Sequence, residues 1–173
     1  PIYADFGGEV ERVLKMTDGV MLLVDAFEGP MPQTRFVLGK ALEHKLKPII
    51  VVNKIDKPNA RPDEVVNEVF DLLVELDADD DALDFPVIYA SSKQGWATDD
   101  LDSENDDMRP VFEAIVTHIP APETDAGAPL QMLVTTLDYS DYVGRIAIGR
   151  VFKGTLTEGQ TVNVIDQIGR AHV

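Results

Sequence analysis

The segment Pro48-Ile-Ile-Val-Val-Asn-Lys-Ile-Asp56 decides how the rest of the sequence is interpreted. Ile49 to Val52 is an unbroken β-branched run, which is typical of a strand buried on both faces in a parallel sheet. Polar residues follow it directly at Asn53, Lys54 and Asp56, where the carboxyl end of the strand opens into a loop. Open α/β sheets bind their ligands at this edge, so we expect a binding site here.

The loop Asn53-Lys54-Ile55-Asp56 fits the N-K-x-D pattern of guanine recognition. The Asp56 carboxylate only accepts hydrogen bonds, so it can take both N1–H and the exocyclic N2–H of guanine. Adenine has a bare acceptor at N1 and no amine at C2, and Asp56 therefore disfavours it. The Lys54 stem can lie along the base, and the Asn53 amide can tie the loop together. An ordinary solvated strand-end loop remains the alternative at this point.

The sequence on either side of this segment alternates between strand and helix patterns. Apolar runs predict further strands over residues 20–25 and 85–90, the second of which ends at Ser91-Ser92-Lys93. Helical stripes predict helices over residues 33–45, from Pro62 to Leu76, and from Asp106 or Asp107 to Ile119. This alternation predicts an α/β domain whose parallel sheet has helices on both faces.

The pattern changes after residue 119. Pro120 to Pro129 has the composition of an interdomain linker. Short strands are predicted over residues 130–137, 143–152 and 160–165, with no helical stripe between them. We therefore expect an α/β domain over residues 1–119, a linker over 120–129, and the truncated start of a β domain over 130–167.

The composition favours a soluble cytoplasmic protein without a disulfide framework. Hydrophobic residues make up 45% of the chain, cysteine is absent, and no run is long enough to predict a membrane span or a signal peptide. The net charge is −16, with acidic runs at residues 77–84 and 99–107 that lack EF-hand spacing. We expect no metal site in this segment and no direct grip on nucleic acid.

Features spread along the chain together resemble the second half of a translational GTPase G domain. They are residues 4–10 (Ala-Asp-Phe-Gly-Gly-Glu-Val), Asn53 to Asp56, and Ser91 to Lys93. Residues 25–35 and 63–85 resemble the TypA/BipA family in particular, which comprises ribosome-associated GTPases related to elongation factor G. The resemblance runs from about residue 4 to residue 166. It implies part of a P-loop GTPase G domain, followed by the start of a β-barrel domain II.

The resemblance also implies a function and its residues. The parent protein would bind and hydrolyse GTP on the ribosome, with GTP or GDP and Mg²⁺ as cofactors and no membrane partner. The switch II segment would include Asp5, Phe6, Gly7 and Gly8, and the two glycines favour a segment that changes conformation. The guanine site would comprise Asn53, Lys54, Asp56, Ser91, Ser92 and Lys93, the last two with their backbone N–H groups towards O6.

The sequence departs from the family pattern in its phosphate-binding parts. No G-x-x-x-x-G-K-[ST] motif occurs, so the phosphate cradle and the Mg²⁺-binding hydroxyl are missing and no catalytic residue can be assigned. Where the family reads Pro-Gly-His before Ala4, this sequence reads Pro1-Ile2-Tyr3. We expect these residues alone to lack GTPase activity.

We interpret both ends as non-native and the chain as a fragment of a longer protein. Residues 168–173 break the β pattern and resemble a sequencing adapter read in one frame. If Ile2 and Tyr3 are native instead, they favour a nucleotide-independent binding or scaffold module that keeps the G-domain shell. An adenine-nucleotide enzyme of the same fold is a further alternative, which Asp56 opposes.

Overall fold

The computed structural model describes residues 3–103, 106–167 and 170–172, with side chains for residues 8, 10–103 and 106–165. The chain divides into two compact units, Pro1–Pro122 and Glu123–Val173. The boundary between them falls within the segment 120–129, whose composition is that of a linker.

The first unit is an α/β domain built on a four-stranded sheet in the order β1-β2-β3-β4. Strands β1, β2 and β3 run parallel, and β4 pairs antiparallel with β3. The predicted fold class, a parallel sheet flanked by helices, is confirmed. Its elements are α1 (Tyr3–Leu14), β1 (Gly19–Asp25), α2 (Pro32–Glu43), β2 (Lys47–Asn53), α3 (Pro62–Glu75), α4 (Asp80–Leu83), β3 (Val87–Ser91), β4 (Trp96–Thr98) and α5 (Arg109–His118).

Strand β2 is the centre of the core, because its side chains are buried on both faces of the sheet. Ile50 and Val52 point to one face, where they pack with Val65 and Leu73 of α3 and with Leu38 of α2. The alternate residues, Ile49 and Val51, pack on the other face with Ile88, Ala90, Ala97, Val111 and Ala114. The unbroken apolar run of β2 therefore has the two-sided burial that its composition predicts.

The helices begin where local chemistry favours a first turn. Pro32 and Pro62 stand at the starts of α2 and α3, where the missing N–H leaves no intrahelical bond unmade. The N-cap of α5 is Met108, which makes no side-chain cap hydrogen bond, but the Asp107 carboxylate before it accepts the Arg109 N–H at 2.9 Å and so satisfies one backbone donor of the first turn. Helix α1 runs continuously through Gly7 and Gly8.

The second unit consists of β strands. Strand β5 (Gln131–Ser140) pairs antiparallel with β6 (Gly144–Lys153), and β7 (Val164–Gln167) pairs with β8 (Arg170–His172). Two expectations differ from this arrangement. The strand predicted over 160–165 begins only at Val164, because residues 157–160 form a turn closed by the Gln160 N–H on the Thr157 carbonyl. Residues 170–172, expected to break the β pattern, continue it as a paired strand.

Candidate functional site

The carboxyl ends of the three parallel strands bring polar residues together at one edge of the sheet. Asp25 at the end of β1 is in register with Asn53 at the end of β2, and Asn53 with Ala90 of β3. Ser91 follows Ala90 and ends β3. This is the edge at which the sequence predicts a binding site.

The Asn53 side chain ties the loops after β2 and β3 to each other. Its Oδ1 accepts the Lys54 N–H at 2.8 Å, and the N–H and hydroxyl of Ser92 at 3.0 Å each. The sequence predicts that Asn53 ties its own loop together, and the geometry extends that role to the neighbouring loop. Because the Ser92 N–H donates to Asn53, the role that the resemblance gives it towards guanine O6 stays a prediction. Among the described residues, the Lys93 N–H has no backbone partner.

The buried hydroxyl of Ser91 orients the Asp56 carboxylate. Ser91 is fully buried, and its Oγ donates to Asp56 Oδ1 at 2.8 Å. Asp56 itself is exposed. Each carboxylate oxygen can accept more than one hydrogen bond, so the Ser91 contact fixes the carboxylate without exhausting its accepting capacity.

A cavity of about 290 Å³ opens above these loops. Of the residues predicted for the guanine site, all but Ser91 line this cavity. Ser91 is connected to it by the hydrogen bond that it donates to Asp56. Lys57 also lines the cavity and was missed. Its position one residue beyond the N-K-x-D pattern was the only available signal. The lining residues are Asn53, Lys54, Asp56, Lys57, Ser92 and Lys93.

Another cavity, of about 360 Å³, lies along α2 and beside Leu76, the residue that follows α3, and it has no strand-end residue in its wall. Phe36, Gly39 and Leu76 contribute to its lining, with Arg35, Lys40 and Glu43 among the charged side chains. It lies away from the carboxyl ends of the strands, where open α/β sheets bind their ligands, so we take the smaller cavity as the candidate site.

Lys54 is held at the cavity in both its backbone and its side chain. Its φ is 67°, in the left-handed region that non-glycine residues seldom adopt. Its Nζ lies 2.7 Å from Asp25 Oδ2. The hydrogen bond from Lys54 to Asp25 raises the pKa of the Lys54 ammonium above its usual value.

Asp25 contacts two lysines that line the cavity, and the sequence assigned it no role. Its side chain is 11% exposed, and its Oδ2 accepts both Lys54 Nζ at 2.7 Å and Lys57 Nζ at 3.1 Å. Burial opposes ionisation of Asp25, but hydrogen bonds from Lys54, the Phe27 N–H and Lys57 outweigh it and hold the pKa well below its usual range. The only signal in the sequence was the position of Asp25 at the end of a neighbouring strand. That position predicts that Asp25 lies near the loop after β2, but it does not predict which residue Asp25 contacts.

The predicted switch II segment lies in α1. The side chains of Asp5 and Phe6, and the surroundings of Gly7, fall outside what the structure describes. Gly8 is exposed, and a Cβ built on it would meet no atom within 4 Å. The role of this segment as a switch stays a prediction.

Two further findings concern ligands and membranes. In residues 3–103, 106–167 and 170–172, no group of three or more His, Asp or Glu side chains is placed to hold a metal ion. None of the helices in this described part combines the length and apolar character that a bilayer crossing requires.

Comparison with known proteins identifies the family. The model of the elongation factor Tu GTP-binding domain matches residues 1–121, which include the whole strand-end site. The chain belongs to this family. The site residues Asn53 to Asp56 and Ser91 to Lys93 therefore lie within a GTP-binding domain of the elongation factor Tu type.

Individual relatives support the narrower resemblance to the TypA/BipA group, which is confirmed. The chain is 59% identical over 169 residues to the large ribosomal subunit assembly factor BipA of Synechocystis sp.. It is 57% identical to the factors of the same name from Salmonella typhimurium and Bacillus subtilis. These matches cover 98–99% of the chain, which spans 28% of the length of each relative.

Proposed function

We propose that this chain is the guanine-recognising part of a GTPase that acts on the ribosome. The observation that carries the proposal is the Asp56 carboxylate, exposed at a 290 Å³ cavity and fixed by the buried Ser91 hydroxyl at 2.8 Å. A carboxylate fixed in this way presents two acceptors to the paired N1–H and N2–H donors of guanine. Membership of the elongation factor Tu GTP-binding domain family supports this role.

The remaining cavity residues serve the same base. The Lys54 stem forms a wall along which the base plane can lie, and Asn53 holds the two loops at a fixed separation through Ser92. The Lys93 N–H is a suitable donor for guanine O6. The family's Mg²⁺-binding hydroxyl belongs to the G-x-x-x-x-G-K-[ST] motif, which does not occur in this sequence. The proposed role of the strand-end residues is to bind the base.

The names of the relatives support the proposed partner. The similar proteins of Synechocystis, Salmonella and Bacillus are named as assembly factors of the large ribosomal subunit. We infer that the longer protein containing this chain hydrolyses GTP and acts on the ribosome in the cytoplasm. The process that we propose for it is assembly of the large ribosomal subunit. A scaffold that keeps the G-domain shell without binding nucleotide is the competing function. It predicts no discrimination between guanine and other bases.

The test exchanges the base specificity in the full-length protein that contains this chain. Asp56→Asn keeps the size of the side chain but replaces one acceptor oxygen with an NH₂ group, which would face the C2 amine of guanine. Xanthine carries a carbonyl at C2, which accepts from that NH₂. We expect GTP affinity to fall by roughly 10⁴-fold, because the polar groups of residue 56 and guanine no longer match when they are buried against each other in the complex. We also expect XTP binding to appear.

Asp71→Asn is the matched control, since it makes the same chemical change on the exposed side of α3. We expect it to leave GTP and XTP binding as in the wild type. Titrations with both nucleotides, with circular dichroism to confirm the fold, measure the effect. Asp56→Asn protein that still binds GTP within a few fold of wild type and ignores XTP would show that Asp56 does not recognise guanine.

A further inference from the structure

Asp25 joins the loops after β1 and β2 through its two carboxylate oxygens. Oδ1 accepts the N–H groups of Phe27 at 2.9 Å and Glu28 at 3.4 Å, both in its own exit loop. Oδ2 accepts Lys54 Nζ at 2.7 Å and Lys57 Nζ at 3.1 Å, both from the loop after β2. The carboxylate therefore has one oxygen for its own loop and one for the lysines at the cavity.

The contact matters because Lys54 would otherwise be mobile. Its side chain is 52% exposed, so packing alone does not fix it. A free lysine samples many rotamers, and ordering it on ligand binding weakens the affinity. Asp25 is only 11% exposed and is held by backbone N–H groups, so it provides a fixed anchor for the ammonium.

We propose that Asp25 is a positioning residue of the strand-end cavity, which holds the Lys54 ammonium and so fixes the Lys54 stem as a wall for the base before nucleotide binds. The inference rests on the proposed guanine recognition and adds a residue that lies outside the N-K-x-D loop. Asp25 acts through Lys54 and does not line the cavity itself.

A double-mutant cycle separates this role from simple support of the loop. Asp25→Asn keeps an acceptor oxygen for the Phe27 N–H, but its amide has no charge and turns a donor group towards the lysines. Lys54→Met keeps an apolar stem without the ammonium. GDP affinity is measured by fluorescence titration of the full-length protein with N-methylanthraniloyl-GDP, for the wild type, both single variants and the double variant.

We expect Asp25→Asn to weaken GDP binding by about tenfold, the scale of one charge-assisted hydrogen bond at a partly exposed site. In the Lys54→Met background the same change should have an effect of about twofold or less, because the ammonium on which it acts is gone. A cycle with Lys57→Met should leave the tenfold effect in place, since Lys57 shares the oxygen but is not the proposed wall. Asp71→Asn should match the wild type.

The outcomes distinguish the inference from the proposed function. Wild-type protein that fails to bind guanine nucleotide overturns the proposed function and the role of Asp25 with it. Two outcomes overturn the positioning role alone, both with wild-type protein that binds guanine nucleotide. In one, Asp25→Asn has no effect on GDP affinity; in the other, its effect is equally large with and without the Lys54 ammonium. If Asp25→Asn does not fold, Asp25→Ser, whose hydroxyl can still accept the Phe27 N–H, replaces it in the cycle and is judged by the same criterion.

Discussion

Asp25 and Ser91 share a position in the architecture, since each ends a parallel strand and each fixes a charged side chain of the loop after β2. Asp25 fixes a lysine through an ion pair, and Ser91 fixes a carboxylate through a neutral hydroxyl. The N-K-x-D loop thus has its two charged side chains positioned by residues from the strands on either side. At the scale of single residues, the site depends on these two supports.

The pKa of Asp25 predicts how its contribution to stability varies with pH. The folded-state pKa lies below the unfolded value of about 3.9, so the stabilisation is present above pH 4 and is lost as the pH falls below it. We expect Asp25→Asn to lower the free energy of unfolding by about 1 kcal/mol at pH 7, because the lysine partners are largely exposed. Urea denaturation at pH 7, 5 and 3 should show the difference from wild type narrowing only at the lowest pH. A difference that grows on acidification would contradict the ion-pair account.

Ser91→Ala tests the support beneath Asp56. The variant removes the hydroxyl that donates to Asp56 Oδ1 and leaves a small void in a fully buried position. We expect the GDP affinity of the full-length protein to fall about fivefold, because the carboxylate loses its fixed orientation. Titration of wild type and variant with labelled GDP measures this. Unchanged affinity would show that Asp56 is positioned without Ser91.

At the scale of elements, the sequence predicted long periodic segments better than short ones. Strand β2 and helices α2, α3 and α5 were recognisable because a buried strand and an amphipathic helix leave different periods in the sequence. Strand β4 was not predicted, since Trp96–Thr98 is too short to show alternation. Its pairing with β3 depends on the turn at Gly95, whose φ is +81°.

The candidate site, like the secondary structure, was predictable from the sequence only in part. The N-K-x-D loop and Ser91 to Lys93 lie at strand ends that the sequence located, and their convergence follows from the parallel sheet. The pairing of Asp25 with Lys54 requires the strand order, which places β1 directly beside β2 with Asp25 opposite Asn53. Neither apolar periodicity nor a local motif encodes that order.

The exit loop of β1 offers a test at the element scale. Gly29 has a φ of +73°, its N–H donates to the Asp25 carbonyl at 3.0 Å, and a Cβ would meet the Glu68 carboxylate. We expect Gly29→Ala to destabilise the fold by about 1–2 kcal/mol through the left-handed conformation, with a further loss from displacing Glu68. The midpoint of urea denaturation measures the change.

Gly95→Ala is the matched control for this substitution. Its φ is also positive, but a Cβ there would meet no atom within 4 Å. It should therefore have only the conformational cost, and its denaturation midpoint should lie between those of wild type and Gly29→Ala. Equal midpoints for the two variants would show that the contact with Glu68 adds nothing.

At the scale of the whole molecule, burial is unequal between the two units. The buried side chains of the described residues all belong to the first unit, where they pack on both faces of β2. In the second unit, no side chain described over residues 123–165 is buried. The backbone there is ordered by antiparallel pairing, above all between β5 and β6, and has little apolar burial to support it.

This difference predicts unequal protection from hydrogen exchange. Two-stranded hairpins are marginally stable in water, because few apolar contacts oppose the opening of their hydrogen bonds. Strand β2 has neighbours on both sides and helices over both faces, so we expect its amides to exchange only when the first unit opens. We therefore expect peptides from β5 and β6 of this chain to exchange at least about tenfold faster than peptides covering Ile49 to Val52.

Mass spectrometry of the 173-residue chain at a series of labelling times measures both rates in one sample. Peptides from residues 62–75 are the internal control, since α3 packs on the same core as β2 and should exchange slowly with it. Protection of β5 and β6 equal to that of β2 would show that the hairpin has a source of stability beyond its own strand pairing.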